Sequence, residues 1–144
     1  MGIMKNFPVL SRVIATLLVV AFSGVIANAA DSSGWVGEYT DKKFLSGRAV
    51  FQLSIEQSGS AMHIRFDAAW VDGHGAAPEA DGPGKVSGNT LTFKWEDSFN
   101  NSGTGTITRS GDDVLVTLNA TKVADPRCLH FYGKNLRLKR AAKK

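Results

Sequence analysis

A chain of 144 residues, 43% hydrophobic and 21% charged, is the size and composition of one globular domain. Its single cysteine, Cys128, cannot close an intramolecular disulfide, and His63, His74 and His130 show no metal-ligand spacing, so no disulfide scaffold, metal or cofactor is expected. The formal charge of +4 hides an asymmetry: all 13 acidic residues lie between Asp31 and Gly133 with only nine cations, while six cations crowd the last eleven residues, and an acidic body excludes a nucleic-acid face.

The chain opens on the pattern of a cleavable secretory signal over residues 1–29. Lys5 and Arg12 supply a positive start, Val13–Val25 is an almost wholly apolar run, and Ala27-Asn28-Ala29 is a small-x-small cleavage site. The apolar run is 13 residues long, and a membrane-spanning helix needs about 20. No cysteine follows it to accept a lipid anchor. The expected product is periplasmic or secreted and not membrane-spanning, cut near Ala29. It has one domain over 30–140, a basic disordered tail over 141–144, and a monomeric state.

From Val50 onward the dominant period is two. Phe51, Leu53 and Ile55 alternate with polar neighbours in 50–57. The same holds for Met62, Ile64, Phe66, Ala68 and Trp70 in 61–70, for Leu91, Phe93 and Trp95 in 90–97, and for Val114, Val116, Leu118 and Ala120 in 114–121. Each reads as a strand with one buried and one wet face. Shorter candidate strands are 35–40, 85–87, 104–109 and 130–138, the last with Gly133 as a candidate break. Gly-containing turns at 57–60, 87–90 and 110–113 read as hairpins. Val71–Gly84, with four glycines, two prolines and no alternation, reads as one long loop, and Asp97–Gly103 as a polar turn. About eight antiparallel strands with short links predict an all-β, up-and-down meander. A small closed or nearly closed barrel is favoured because closure removes both free edges, with a β-sandwich as the alternative.

Gly34-Trp35-Val36-Gly37-Glu38-Tyr39 resembles the opening strand of lipocalin-like (calycin) barrels. The resemblance implies that Trp35 plugs one end of the barrel and that an arginine of the last strand, Arg137 or Arg140, covers it. The family usually has one residue between Gly and Trp, and its Thr-Asp-Tyr motif is absent here. The inward set, which includes Trp70, Trp95, Leu118 and Phe131, is bulky enough to fill an eight-stranded interior. Gly103 and Gly105 are expected to make room for Trp95 or Trp70.

Chemistry is thinly marked. No Gly-x-Ser-x-Gly elbow exists, and Gly103–Thr106 is a strand pattern rather than a phosphate loop. Cys128 and His130, two apart in an expected strand, would share a face. Asp72 and Asp97 are turn residues whose carboxylates bond nearby backbone N–H groups. The remaining candidates, Asp72, His74, Asp97, Asn100, Arg127 and Tyr132, would form a binding rim if one end of the barrel gathers them. The sequence therefore favours an exported barrel that binds an envelope protein, in the manner of an inhibitor or immunity protein, or a small ligand. A Cys/His-dependent hydrolase and a purely structural envelope component are the alternatives.

Overall fold

A computed structural model describes residues 34–142, so the signal segment and the final two lysines lie outside the described residues. Eight strands follow in order: β1 (Gly37–Phe44), β2 (Ala49–Ser58), β3 (Ala61–Trp70), β4 (Glu79–Ser87), β5 (Thr90–Asp97), β6 (Ser102–Ser110), β7 (Asp113–Lys122) and β8 (Leu136–Arg140). Each pairs antiparallel with the next, and β1 pairs with β8, closing a barrel. The meander is the expected one, closed rather than stacked as a sandwich.

Alternation explains the wall. Along β2, Ala49, Phe51, Leu53 and Ile55 are buried while Gln52 and Glu56 are exposed, and β5 repeats this with Leu91, Phe93 and Trp95. Inside, rings pack in a continuous chain. Phe44 meets Phe51 at 5.4 Å between centroids, Phe51 meets Phe66 at 5.6 Å, and Phe66 meets Trp95 at 5.6 Å. Trp95 meets Tyr132 at 4.8 Å. Each buried ring contributes about 1.5–3 kcal/mol, and good ring pairs add about 0.5–1.5 kcal/mol. The interior is a packed core.

Large and small inward residues alternate between strands. β3 and β5 carry the rings, while β4 turns Ala80, Gly82 and Gly84 inward and β6 turns Gly103 and Gly105. A Cβ on Gly105 would stand 2.3 Å from the Phe93 ring, and one on Gly82 would stand 1.6 Å from the Lys94 carbonyl oxygen. Phe93, rather than a tryptophan ring, therefore lies over Gly105. At Gly103 the close neighbour is the β7 backbone, 1.9 Å from the missing Cβ. Trp95 lies alongside and donates its indole N–H to the Thr104 carbonyl at 2.9 Å.

Two expected segments are corrected. The long loop covers only Val71–Pro78, because Glu79–Gly84 belongs to β4. Its small inward residues carry no hydrophobic signal; neighbouring rings bury that face instead. The strand expected over 130–138 holds only from Leu136, as the start of β8; on the near side of Gly133 the chain forms a 3₁₀ turn, Pro126–Phe131, instead. Asp125 caps the turn by accepting the Arg127 amide N–H, and Pro126 starts it with its φ already set.

Candidate functional site

An up-and-down barrel sends alternate connections to opposite ends. Two-residue hairpins at Gly59-Ser60, Gly88-Asn89 and Gly111-Asp112 crowd one end, each with its glycine near φ +63 and a second residue at negative φ, the type II′ turn. The β1–β2, β3–β4, β5–β6 and β7–β8 connections share the other end and are longer. Asp72, His74, Asp97, Asn100, Arg127 and Tyr132 all sit at this long-loop end, in three separate groups.

The first group is buried. Asp97, 6% exposed, ends β5, and Asn101, 0% exposed, precedes β6. Asp97 Oδ1 accepts the amide N–H of Phe99 and of Asn101, both at 2.8 Å. Its Oδ2 accepts the Asn101 side-chain amide at 2.8 Å and a short hydrogen bond from the Tyr132 hydroxyl. Asn101 Oδ1 accepts the amides of Ala124 and Asp125 at 2.7 and 2.8 Å. The β5–β6 turn is thereby tied to the segment that carries the 3₁₀ turn. Every Asp97 lone pair directed at a neighbour is occupied, so the carboxylate acts as a knot. Burial and the Asp97 bond push the Tyr132 phenol well above its ordinary range.

Cys128 lies beneath the same turn, fully buried. Burial, reinforced by the charges of Asp97 and Asp125, pushes its thiol up to about 11, so it is protonated at neutral pH and a poor nucleophile. His130 is exposed and meets Trp70 edge-on at 5.9 Å between ring centroids. The shared strand face expected for Cys128 and His130 does not exist, because a 3₁₀ turn replaces the strand.

The second group borders an open groove of about 590 Å³, lined by Arg48, Trp70, Val71, Asp72, His74 and Gly75. Trp70 forms its floor, packed against Phe131 at 5.0 Å and against the Gly75 backbone. Asp72 accepts the His74 amide at 2.9 Å, the turn role expected of it, and its other oxygen is 4.0 Å from His74 Nδ1. Arg48 donates its Nε–H and its backbone amide to the Leu45 carbonyl, at 3.2 and 3.3 Å. The third group is Arg127, paired with Asp125 at 2.6 Å and lying 5.8 Å from the centre of Phe99. Asn100 is exposed at φ 64, a backbone that Asn tolerates; its amide N–H donates to the Asp97 carbonyl at 3.2 Å, and its side chain makes none of the knot's bonds. Asn101 and Arg48 escape sequence reasoning: one lies inside a polar turn, the other at a strand start.

The hairpin end is closed. Trp35 is fully buried, with the Arg109 guanidinium 4.5 Å from its ring centre. Arg140 of β8 stacks on Tyr39 at 4.9 Å and donates to the carbonyls of Gly34 and Val36 and to the Tyr39 hydroxyl. Arg137 points elsewhere, pairing with Asp113 at 3.1 Å. The arginine over Trp35 thus comes from β6, while the last-strand arginine, Arg140, clamps the backbone around it.

Among the described residues no group of His, Cys, Asp and Glu could hold a metal ion, and no helix is long and apolar enough to cross a membrane. No family model, curated protein or solved structure matches the chain.

Proposed function

We propose that the protein is an exported, non-catalytic binding module that grips a partner protein with its long-loop end. One observation carries this reading. Of the four large apolar side chains exposed among the described residues, Val71, Val123 and Leu129 lie on the connections of that end, and only Val36 lies elsewhere. Protein interfaces combine such apolar side chains with a tryptophan and arginines inside a polar rim, and Trp70, Arg48, Arg127, Asp72, His74 and His130 supply that mixture. The packed interior favours recognition at the surface. The Asp97–Asn101–Tyr132 knot sets two of the four connections before binding, which lowers the ordering cost of association.

Export rests on the Met1–Ala29 pattern, which puts the partner in the envelope or outside the cell. Trp35 beneath a guanidinium at the closed end keeps a lipocalin-like relationship as our reading of the architecture. Affinity capture from an envelope extract tests the site. A partner held by the wild-type domain should be lost with V71D/L129D and kept with K85E on the β4 wall, all three showing the same β-sheet spectrum. Retention by V71D/L129D would remove the long-loop end from the proposal.

A further inference from the structure

The barrel closes unevenly. β2 and β3 pair without a break from Ala49–Trp70 to Ser58–Ala61, whereas β1 and β8 pair only at Tyr39–Arg140 and Thr40–Lys139. Past Thr40 the strand is irregular. The β1–β2 register shifts between Asp41 and Phe44, the sign of a bulge, and a bulge bends its strand and ends pairing on the far side. From Asp41 to Phe44, β1 has no register partner in β8. A groove of about 440 Å³ opens there, lined by Thr40, Asp41, Lys42, Lys43, Arg137 and Lys139.

Its charge is one-sided. Lys42, Lys43 and Lys139 are exposed, and none has a carboxylate within ion-pair distance among the described residues. Arg137 is matched by Asp113. Asp41, the one acid in the groove, has an oxygen committed to the Lys43 amide at 2.9 Å. Three uncompensated ammonium groups therefore surround a stretch of β1 that β8 leaves without a partner. Within it the Lys43 amide bonds Asp41 and the Lys43 and Phe44 carbonyls accept the Gly47 amide, so that Lys42 carries the open edge.

We propose that this seam is a docking site for an extended acidic polypeptide segment, which adds as a short strand along β1 and places its carboxylates among Lys42, Lys43 and Lys139. A free strand edge offers backbone hydrogen bonds that only a polypeptide can complete, and alternate side chains then set specificity. The lysines disfavour the commonest wrong partner, the same edge of a second copy, because like charges would meet. They favour an acidic one for the same reason. The site lies on the wall where β1 runs into the β1–β2 connection, and none of its lining residues borders the Trp70 groove.

The test uses the full mature chain and a fluorescent peptide alternating Glu and Val, with binding followed by anisotropy at low salt. K42E/K139E should weaken binding by about tenfold or more, since two attractive pairs become repulsive. K85E/K94E, the same charge change on the β4–β5 wall, should alter it by less than about threefold. A peptide N-methylated at alternate residues keeps its charge but loses its strand hydrogen bonds, and should bind about tenfold more weakly than the parent. No binding by the wild type, equal loss in both charge variants, or an unchanged affinity for the methylated peptide would each overturn the proposal. Capture of phosphatidylglycerol vesicles without capture of the peptide would also overturn it, in favour of a lipid surface.

Discussion

Asp97 and Asn101 are the two buried polar side chains of the described core, and both are satisfied by hydrogen bonds rather than left for a ligand. Their neighbours Tyr132 and Cys128 hold their protons more tightly in the folded chain than in the unfolded one. Raised values fix the sign of the pH dependence. Below the ordinary thiol value of 9.0 both states keep the proton and the stabilisation is fully present; above it the unfolded chain ionises first. Stability should therefore stay flat to about pH 9 and fall by about 2 kcal/mol from Cys128 by pH 11, with Tyr132 adding to the loss above about pH 10. Urea midpoints measured across that range check the trend. C128A should start lower because of its cavity but fall less steeply. A midpoint that rises between pH 9 and 11 would refute the assignment.

At the scale of elements, β4 and β6 are thin strands built to receive rings from β3 and β5. Their glycines are packing residues, and the measure of that is the 2.3 Å between a Cβ at Gly105 and the Phe93 ring. G105A should cost about 1–3 kcal/mol in chemical denaturation, because the ring must leave its rotamer or the strands must part. F93L in the same chain, which removes the clashing ring edge, should recover part of that loss. Equal stability of G105A and wild type would mean that the core is looser than these contacts imply. The same thinness hid β4 from sequence reading: Ala80, Gly82 and Gly84 give no hydrophobic alternation, and Gly-Pro-Gly reads as a turn. Likewise Asp125 and Pro126 start a 3₁₀ turn that runs into the strand expected over 130–138.

At the scale of the molecule, stability should grade around the barrel. The β2–β3 ladder is continuous over the full length of both strands, and β6–β7 is nearly so. β8 is held by two pairs on one side and three on the other. Hydrogen exchange should find the β2 and β3 amides opening only with global unfolding, while those of β8 and of Asp41–Phe44 exchange through smaller local openings. Uniform protection around the wall would show that the seam is no weaker than the rest. The distribution of charge follows the same geometry. Glu38, Glu56, Asp67, Glu79 and Asp81 lie along β1–β4, where burial and then Glu79 and Glu38 raise the Asp67 carboxyl, and the uncompensated lysines lie across β1 and β8.

Period-two patterning over Phe51, Ile64, Phe93 and Val116 determined the strand class, the meander and a filled centre, because burying one side of a strand requires that alternation and nothing longer-ranged. The turn chemistry of Asp72 and Asp97 was equally local and equally legible. Only the tertiary structure decided which residues meet. It put Arg109, rather than Arg137 or Arg140, over Trp35, separated Cys128 from His130, and divided the rim candidates between a knot, a groove and an ion pair, with Asn100 in none of them. Those outcomes depend on barrel closure, which brings together side chains far apart in the chain, and no local pattern records such a meeting.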